Sequence, residues 1–273
     1  MPALLHTLQQ TQTVVMVAGL LLMLLWETAH PFFDFFRRKP TERGRHAVRN
    51  LVMGALNSVV VATVFVGLWL MAAEWARLNG IGLLHVWDLP AWAHAVGAIL
   101  LLDGWTYVWH RINHRVPFLW RFHRVHHNDA HMDVTTASRF HLGEIVLSSA
   151  LRIPLIVLFG VELWALVLYE TLMFAVVQFH HANVAVPDAI DRALRLLIVT
   201  PAMHKVHHSR WQPETDSNFS AFLSVWDRIG QSFRLRDDPS AIAFGLDGDD
   251  DDAHQSLKGM LRTPLEAPRR EGE

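Results

Sequence analysis

Long uncharged runs constrain what this chain can fold into more than any other feature. In lipid a backbone must satisfy its own N–H and C=O groups, so a spanning segment is a helix or part of a closed barrel. Residues 11–28 and 51–73 are apolar stretches close to the ~20 residues that a helix needs to cross a bilayer. A third stretch, 89–109, carries Asp103. An aspartate inside a span faces a polar interior; the competing arrangement starts the span earlier and leaves Asp103 at the interface. Residues 145–179 form a longer apolar block broken at Phe159-Gly160-Val161-Glu162. The break reads as the turn of a helical hairpin, although Arg152 and Pro154 also allow a tilted or re-entrant first half. The expectation is an all-α integral membrane protein with about three transmembrane helices plus a helical hairpin.

Composition agrees, with 51% hydrophobic residues among 273 and a mean hydropathy of +0.19. The chain has no Cys, which excludes disulfides, thiolate metal sites and a cysteine nucleophile. A net charge of −2 provides no basic field for nucleic acid. The first ten residues hold no Lys or Arg, so the first apolar run is expected to be a retained anchor rather than a signal peptide. Of 24 Lys and Arg, six lie in 30–50, five in 110–140 and eleven after 180; Arg77 and Arg152 are the others. The positive-inside rule then places the N-terminus outside and the three basic segments in the cytoplasm.

Three parts are expected: a membrane anchor over 1–100, a catalytic domain over 101–236, and a disordered acidic tail over 237–273 around Asp247-Gly248-Asp249-Asp250-Asp251-Asp252. Residues 188–200 read as an amphipathic helix, with Asp188 as N-cap and Pro201 after its end. It lies along the membrane surface or packs on the cytosolic domain. The tryptophans Trp26, Trp69, Trp105, Trp109 and Trp120 are expected in an interfacial belt.

Histidine is the compositional outlier, with 18 residues. His110-Arg-Ile-Asn-His114 puts two imidazoles one helical turn apart. His123-Arg-Val-His126-His127 and His204-Lys-Val-His207-His208 each place three at i, i+3 and i+4. All three boxes fall in the basic, cytoplasmic segments. His181, with His180 as its competitor, follows the hairpin and is a candidate ninth donor. A single ion takes three to six ligands, so eight or nine converging imidazoles suit two ions. The result is a cytosolic, histidine-rich di-metal cap. No HExxH, GxSxG, P-loop or GxGxxG pattern is present, so electrons for redox chemistry would come from a separate protein.

Over residues 103–230 the chain resembles the fatty acid hydroxylase superfamily, in its sterol-desaturase-like branch. The likeness rests on Asp103-Gly-Trp-Thr-Tyr107-Val-Trp-His110-Arg111-Ile-Asn-His114, on Pro117-Phe-Leu-Trp120-Arg-Phe-His123-Arg-Val-His126-His127, and on Thr200-Pro201-Ala-Met-His204-Lys-Val-His207-His208. Phe179-His180-His181-Ala-Asn183 and Asp216-Ser-Asn218-Phe, with Trp226-Asp227-Arg228, extend it. Arg139-Phe-His141-Leu-Gly-Glu144 departs from the family's proline-containing centre at Leu142-Gly143, and Ile229-Gly230-Gln231 departs from its closing FGT.

The resemblance implies a non-haem di-iron oxygenase that hydroxylates or desaturates a fatty acyl or sterol-like lipid with O2 and an external electron donor. Carried over by position, the ligands are His110, His114, His123, His126, His127, His181, His204, His207 and His208. His141 and His180 are candidates for a further ligand or a substrate-side role. Asp103, Asn183, Asn218 and Asp227 are candidate partners of the imidazole N–H groups. A bacterial inner membrane is the default location. The rival reading is a His-rich zinc-binding membrane protein, a hydrolase or metal handler, without oxidative chemistry.

Overall fold

The computed structural model describes residues 2–36, 38–249 and 251–267. Among them every named element is helical, and extended pairing is limited to two isolated bridges, Pro31 to Val184 and Ile198 to Leu223. Helix α1 (Pro2–Ala29) leads through a turn to α2 (Pro40–Val60), which runs on through a π-turn at Val61–Phe65 into α3 (Val66–Leu78). The π-turn keeps one face inward along this long rod. His46, Asn50, Met53 and Asn57 are the buried residues of α2, and Phe65, Trp69, Ala73 and Ala76 continue the series. The step of eight from 57 to 65 exceeds two α-turns, and one wider turn absorbs the surplus.

Helix α4 (Ala91–Arg115) carries the first histidine box and α5 (Pro117–His127) the second, with Pro117 at the first helical position. The hairpin is α6 (Leu142–Phe159) and α7 (Leu163–His181), with Gly160 left-handed between them at φ +68°. A side chain at Gly82 would meet the Gly160 backbone at 2.3 Å, so two glycines bring these loops together at the end of α7 opposite His181. Short helices complete the cap: α8 (Asp188–Leu194), α9 (Pro201–His207), α10 (Gln212–Thr215), α11 (Val225–Ile229) and α12 (Leu257–Arg262).

Four helical segments are long and apolar enough to cross a bilayer: Thr7–Ala29, Pro40–His85, Leu142–Phe159 and Leu163–His181. With apolar side chains such as Leu21, Leu25, Val59 and Met71 turned outward, this is an integral membrane protein. The expected third span corresponds to α4, which is not among the four. One face of it packs into the bundle, where Ala98 and Leu102 join Phe65, Trp69, Ile156, Leu166 and Tyr169 in the main core, while Trp92, Val96, Leu100 and Val108 face outward. Asp103 is therefore interior rather than interfacial, at 1% exposure.

Three expectations need correction. Helix α8 stops at Leu194, and Asp188 is its first residue rather than its cap. Beyond it Leu197 accepts the Ser224 N–H and Ile198 bridges to Leu223, so backbone pairing displaces the helix. The segment after 236 is folded over its described residues. Ile242 and Phe244 pack on Met132 and Val206, Met260 packs on Met53 and Val125, and the buried Arg124 guanidinium pairs with Asp249 at 3.0 Å. A few well-placed apolar anchors outweigh the acidic run. Of the tryptophans, Trp69 is a core residue donating to the Ser149 carbonyl, and Trp120 packs on the His114 and His127 rings.

Candidate metal centre

The ends of α4, α5, α7 and α9 meet at one place, each bringing histidines in its last turn or at its cap. Their ring nitrogens form two groups, each with its nitrogens within 4.8 Å of one another: His110, His114, His123, His127 and His207; and His126, His181, His204 and His208. All nine expected ligands are thus brought together, five and four. Each HxxHH box is divided between the groups. On α5 the i, i+4 pair His123 and His127 joins the first group and His126 the second; on α9 His204 and His208 join the second and His207 the first. One α-helical turn with a third histidine beside it can address two points at once, which gives the spacing its physical sense.

The rings are held from outside. The Nδ1–H groups of His110, His207 and His181 donate to the carbonyls of Phe219 (2.7 Å), Ser217 (2.7 Å) and Val177 (2.8 Å). His126 Nδ1 reaches the Arg139 carbonyl at 3.3 Å, His123 Nδ1 the Glu144 carboxylate at 2.9 Å, and His114 Nδ1 the Asp216 carboxylate at 3.3 Å. Because carbonyls and carboxylates only accept, these contacts place the proton on Nδ1 and leave the lone pair on Nε2. Yet His110 and His123 oppose Nε2 to Nε2 at 3.1 Å, as do His126 and His181. Two lone pairs at that separation repel one another unless a cation beside them takes both. His114 Nε2, His127 Nε2 and His207 Nε2 have no protein partner.

Protonation is disfavoured across most of the set. Burial first, then the neighbouring imidazoles, holds His110, His114, His126, His127, His204 and His208 well below the ordinary imidazole value; burial takes His207 down to about 3. The donor set is convergent and shielded, which suits imidazole-loving divalent ions. Aromatic side chains complete the shield: Phe140 stacks on His126 at 4.3 Å, and Phe219 lies beside His110, His114 and His207.

His180 and His141 stand outside both groups. His180 Nε2 donates to the Ala221 carbonyl at 3.2 Å, with its ring 3.9 Å from that of His204. His141 is a helix cap: its Nδ1 accepts the Gly143 N–H at 2.9 Å and its Nε2 reaches the Leu261 carbonyl at 3.3 Å. Nor do the four expected imidazole partners touch an imidazole. Asp103 accepts from Leu223 N–H and Trp226 Nε1–H, at 2.9 and 2.8 Å, and Asn183 pairs with the Phe33 backbone. Asn218, left-handed at φ +50°, binds the Met203 and Arg234 backbone; Asp227 accepts from Phe219 and Ser220 N–H. Asn218 and Asp227 therefore shape the loop whose Ser217 and Phe219 carbonyls hold His207 and His110. Sequence reasoning missed the carboxylates in direct contact, Glu144 and Asp216, although both stand in the motifs that carry the resemblance.

The fatty acid hydroxylase pattern matches residues 95–232 of this chain, a stretch that contains every one of these histidines. The chain belongs to the fatty acid hydroxylase family. Among family relatives, it is 29% identical to the ornithine lipid hydroxylase OlsE of Rhizobium tropici over 60% of this chain and 49% of that protein. It is 29% identical to the alkylglycerol monooxygenase of Homo sapiens over 59% and 34%. To a cholesterol 25-hydroxylase-like protein of Danio rerio it is 27% identical over 59% and 61%. The matched region spans only a third to three fifths of these relatives' lengths. No solved structure matches.

Proposed function

We propose that this chain is a membrane-bound di-iron oxygenase that hydroxylates a lipid C–H bond. The single observation that carries the reading is the close approach of ring nitrogens with no proton assigned between them, Nε2 to Nε2, in His110 with His123 and in His126 with His181, at 3.1 Å each. Ring nitrogens fixed in that attitude call for cations, and two groups of five and four call for two. Family membership and relatives named as lipid hydroxylases and monooxygenases favour iron and hydroxylation over zinc and over desaturation.

Bound there, two irons would supply the activation of O2 that places one oxygen atom in the substrate C–H bond while the other leaves as water. The balance takes two electrons and two protons from outside, so the reading includes a separate electron-transfer protein. This chain's residues orient the donors from behind through Phe219, Ser217, Val177, Arg139, Glu144 and Asp216. Phe140, Phe219 and Trp120 keep water from the rings. Glu144 and Asp216 lie behind the rings at Nδ1, away from the converging nitrogens, so neither is placed as the base that a zinc hydrolase needs. The distribution of Lys and Arg supports a cytoplasmic site, and a bacterial inner membrane is the location we favour.

The test is metal content and oxygen-isotope incorporation with anaerobically purified protein, a reductant and a membrane lipid extract. The expected outcome is about two irons per chain and label from O2 in a lipid alcohol. One tightly held zinc and no O2 consumption would overturn the reading.

A further inference from the structure

The family pattern begins at residue 95, yet α1, some seventy residues earlier, places a carboxylate against the centre. Glu27 lies two residues before the end of α1 and is 2% exposed. Its Oε2 accepts two backbone N–H groups, from Asn183 at 3.0 Å and Val134 at 3.1 Å, and its Oε1 accepts from Arg43 at 3.0 Å. Asn183 follows His181 by two residues, where α7 ends and the chain turns to extended backbone at Ala182. His181 therefore sits in the last turn of its helix, the part of any helix with the fewest internal bonds.

Around that turn the backbone is pinned residue by residue. Lys205 Nζ, from α9 between His204 and His207, donates to the Ala182 and Val184 carbonyls at 3.2 Å each. Phe32 N–H donates to the Asn183 carbonyl at 2.9 Å, and Pro31 bridges to Val184. Leu20, Met23, Leu24 and Trp26 of α1 pack on Val134, Ala182 and Val184. Of these contacts, only the one to Glu27 joins the 183 and 134 backbones through a single atom.

We infer that Glu27 is a positioning residue: by accepting the Asn183 and Val134 N–H groups it holds His181 in register with His126, His204 and His208, and so secures the second of the two metals. The inference rests on the di-iron reading. It assigns the N-terminal membrane helix a part in building the centre. The first group takes no ligand from α7 and meets this clamp only through α9, so it is expected to keep its metal when the clamp is lost.

Full-length Glu27→Ala and Glu27→Gln proteins, purified with iron beside the wild type, test it by iron stoichiometry. Hydrogen exchange of the metal-free proteins is followed in peptides covering 131–137 and 180–187. Glu27→Ala is expected to fall from about two irons toward one, with faster exchange confined to those two peptides. Glu27→Gln, which keeps an acceptor oxygen in place, is expected to restore both. Glu27→Ala protein that keeps two irons, or loses both, overturns the inference. So does a Gln variant as deficient as the Ala variant, or exchange that rises throughout the chain. Wild-type protein without two irons would instead defeat the di-iron reading itself.

Discussion

At the scale of single residues, the centre is governed from the outer side of its rings. Glu144 accepts from His123 Nδ1 at 2.9 Å and from Asn113 Nδ2 at 3.3 Å, and is itself buried. Replacing it with Gln keeps an acceptor but removes the negative charge that makes the opposite nitrogen more basic. Changes behind a ligating histidine typically weaken metal binding by about 10–100-fold. Glu144→Gln is therefore expected to release iron to a chelator roughly tenfold more readily, with helix content unchanged by circular dichroism; chelator competition equal to wild type would remove Glu144 from this role. The inner face of the site was legible in the sequence, because a histidine announces its chemistry and the i, i+3, i+4 spacing announces its direction. The outer face was not. Four of the six partners are backbone carbonyls, at Phe219, Ser217, Val177 and Arg139, and a carbonyl has no residue signature. Asp103, Asn183, Asn218 and Asp227 were the polar residues nearest in motif, but they secure loops instead.

At the scale of elements, the sequence reported helices well wherever burial is one-sided, and it failed where distant partners decide. The acidic run near 250 read as disorder, since sparse anchors such as Ile242, Phe244 and Met260 make no periodic pattern. The segment is held in part by charge. His254 reaches Asp251 at 2.8 Å and Glu266 at 3.0 Å. Partial burial lowers its proton affinity, but those carboxylates outweigh it, and the net shift is upward from 6.5. A raised folded-state value means that the extra stability is complete below 6.5 and is lost as pH rises through the higher value. Limited proteolysis within 251–267 is thus expected to be faster at about pH 8.5 than at about pH 6. His254→Ala should flatten that difference, and an opposite trend in the wild type would contradict the assignment.

At the scale of the whole molecule, the cap is fastened to the bundle well inside α4, since Asp103 receives both Leu223 N–H and Trp226 Nε1–H. On the same flank Leu196, Leu197 and Ile229 are 74, 66 and 68% exposed. Such a group of apolar side chains beside a transmembrane bundle belongs in the interfacial layer of lipid. Since the chain has no Cys, Leu197→Cys offers a single labelling point. A nitroxide there is expected to be relaxed more by lipid-soluble oxygen than by a water-soluble reagent; the reverse would place the cap clear of the membrane. The division of each HxxHH box between both groups carries a consequence for what changes the protein can tolerate. A one-residue insertion ahead of His123 within α5 would turn all that follows by about 100° and dislodge members of both histidine groups at once. These two short helices form a common keyway. On the di-iron reading, two ions held there could not be given separate properties by sliding or rotating the helices that carry the boxes, and differences between them would have to be written into the residues that lean on the rings from behind.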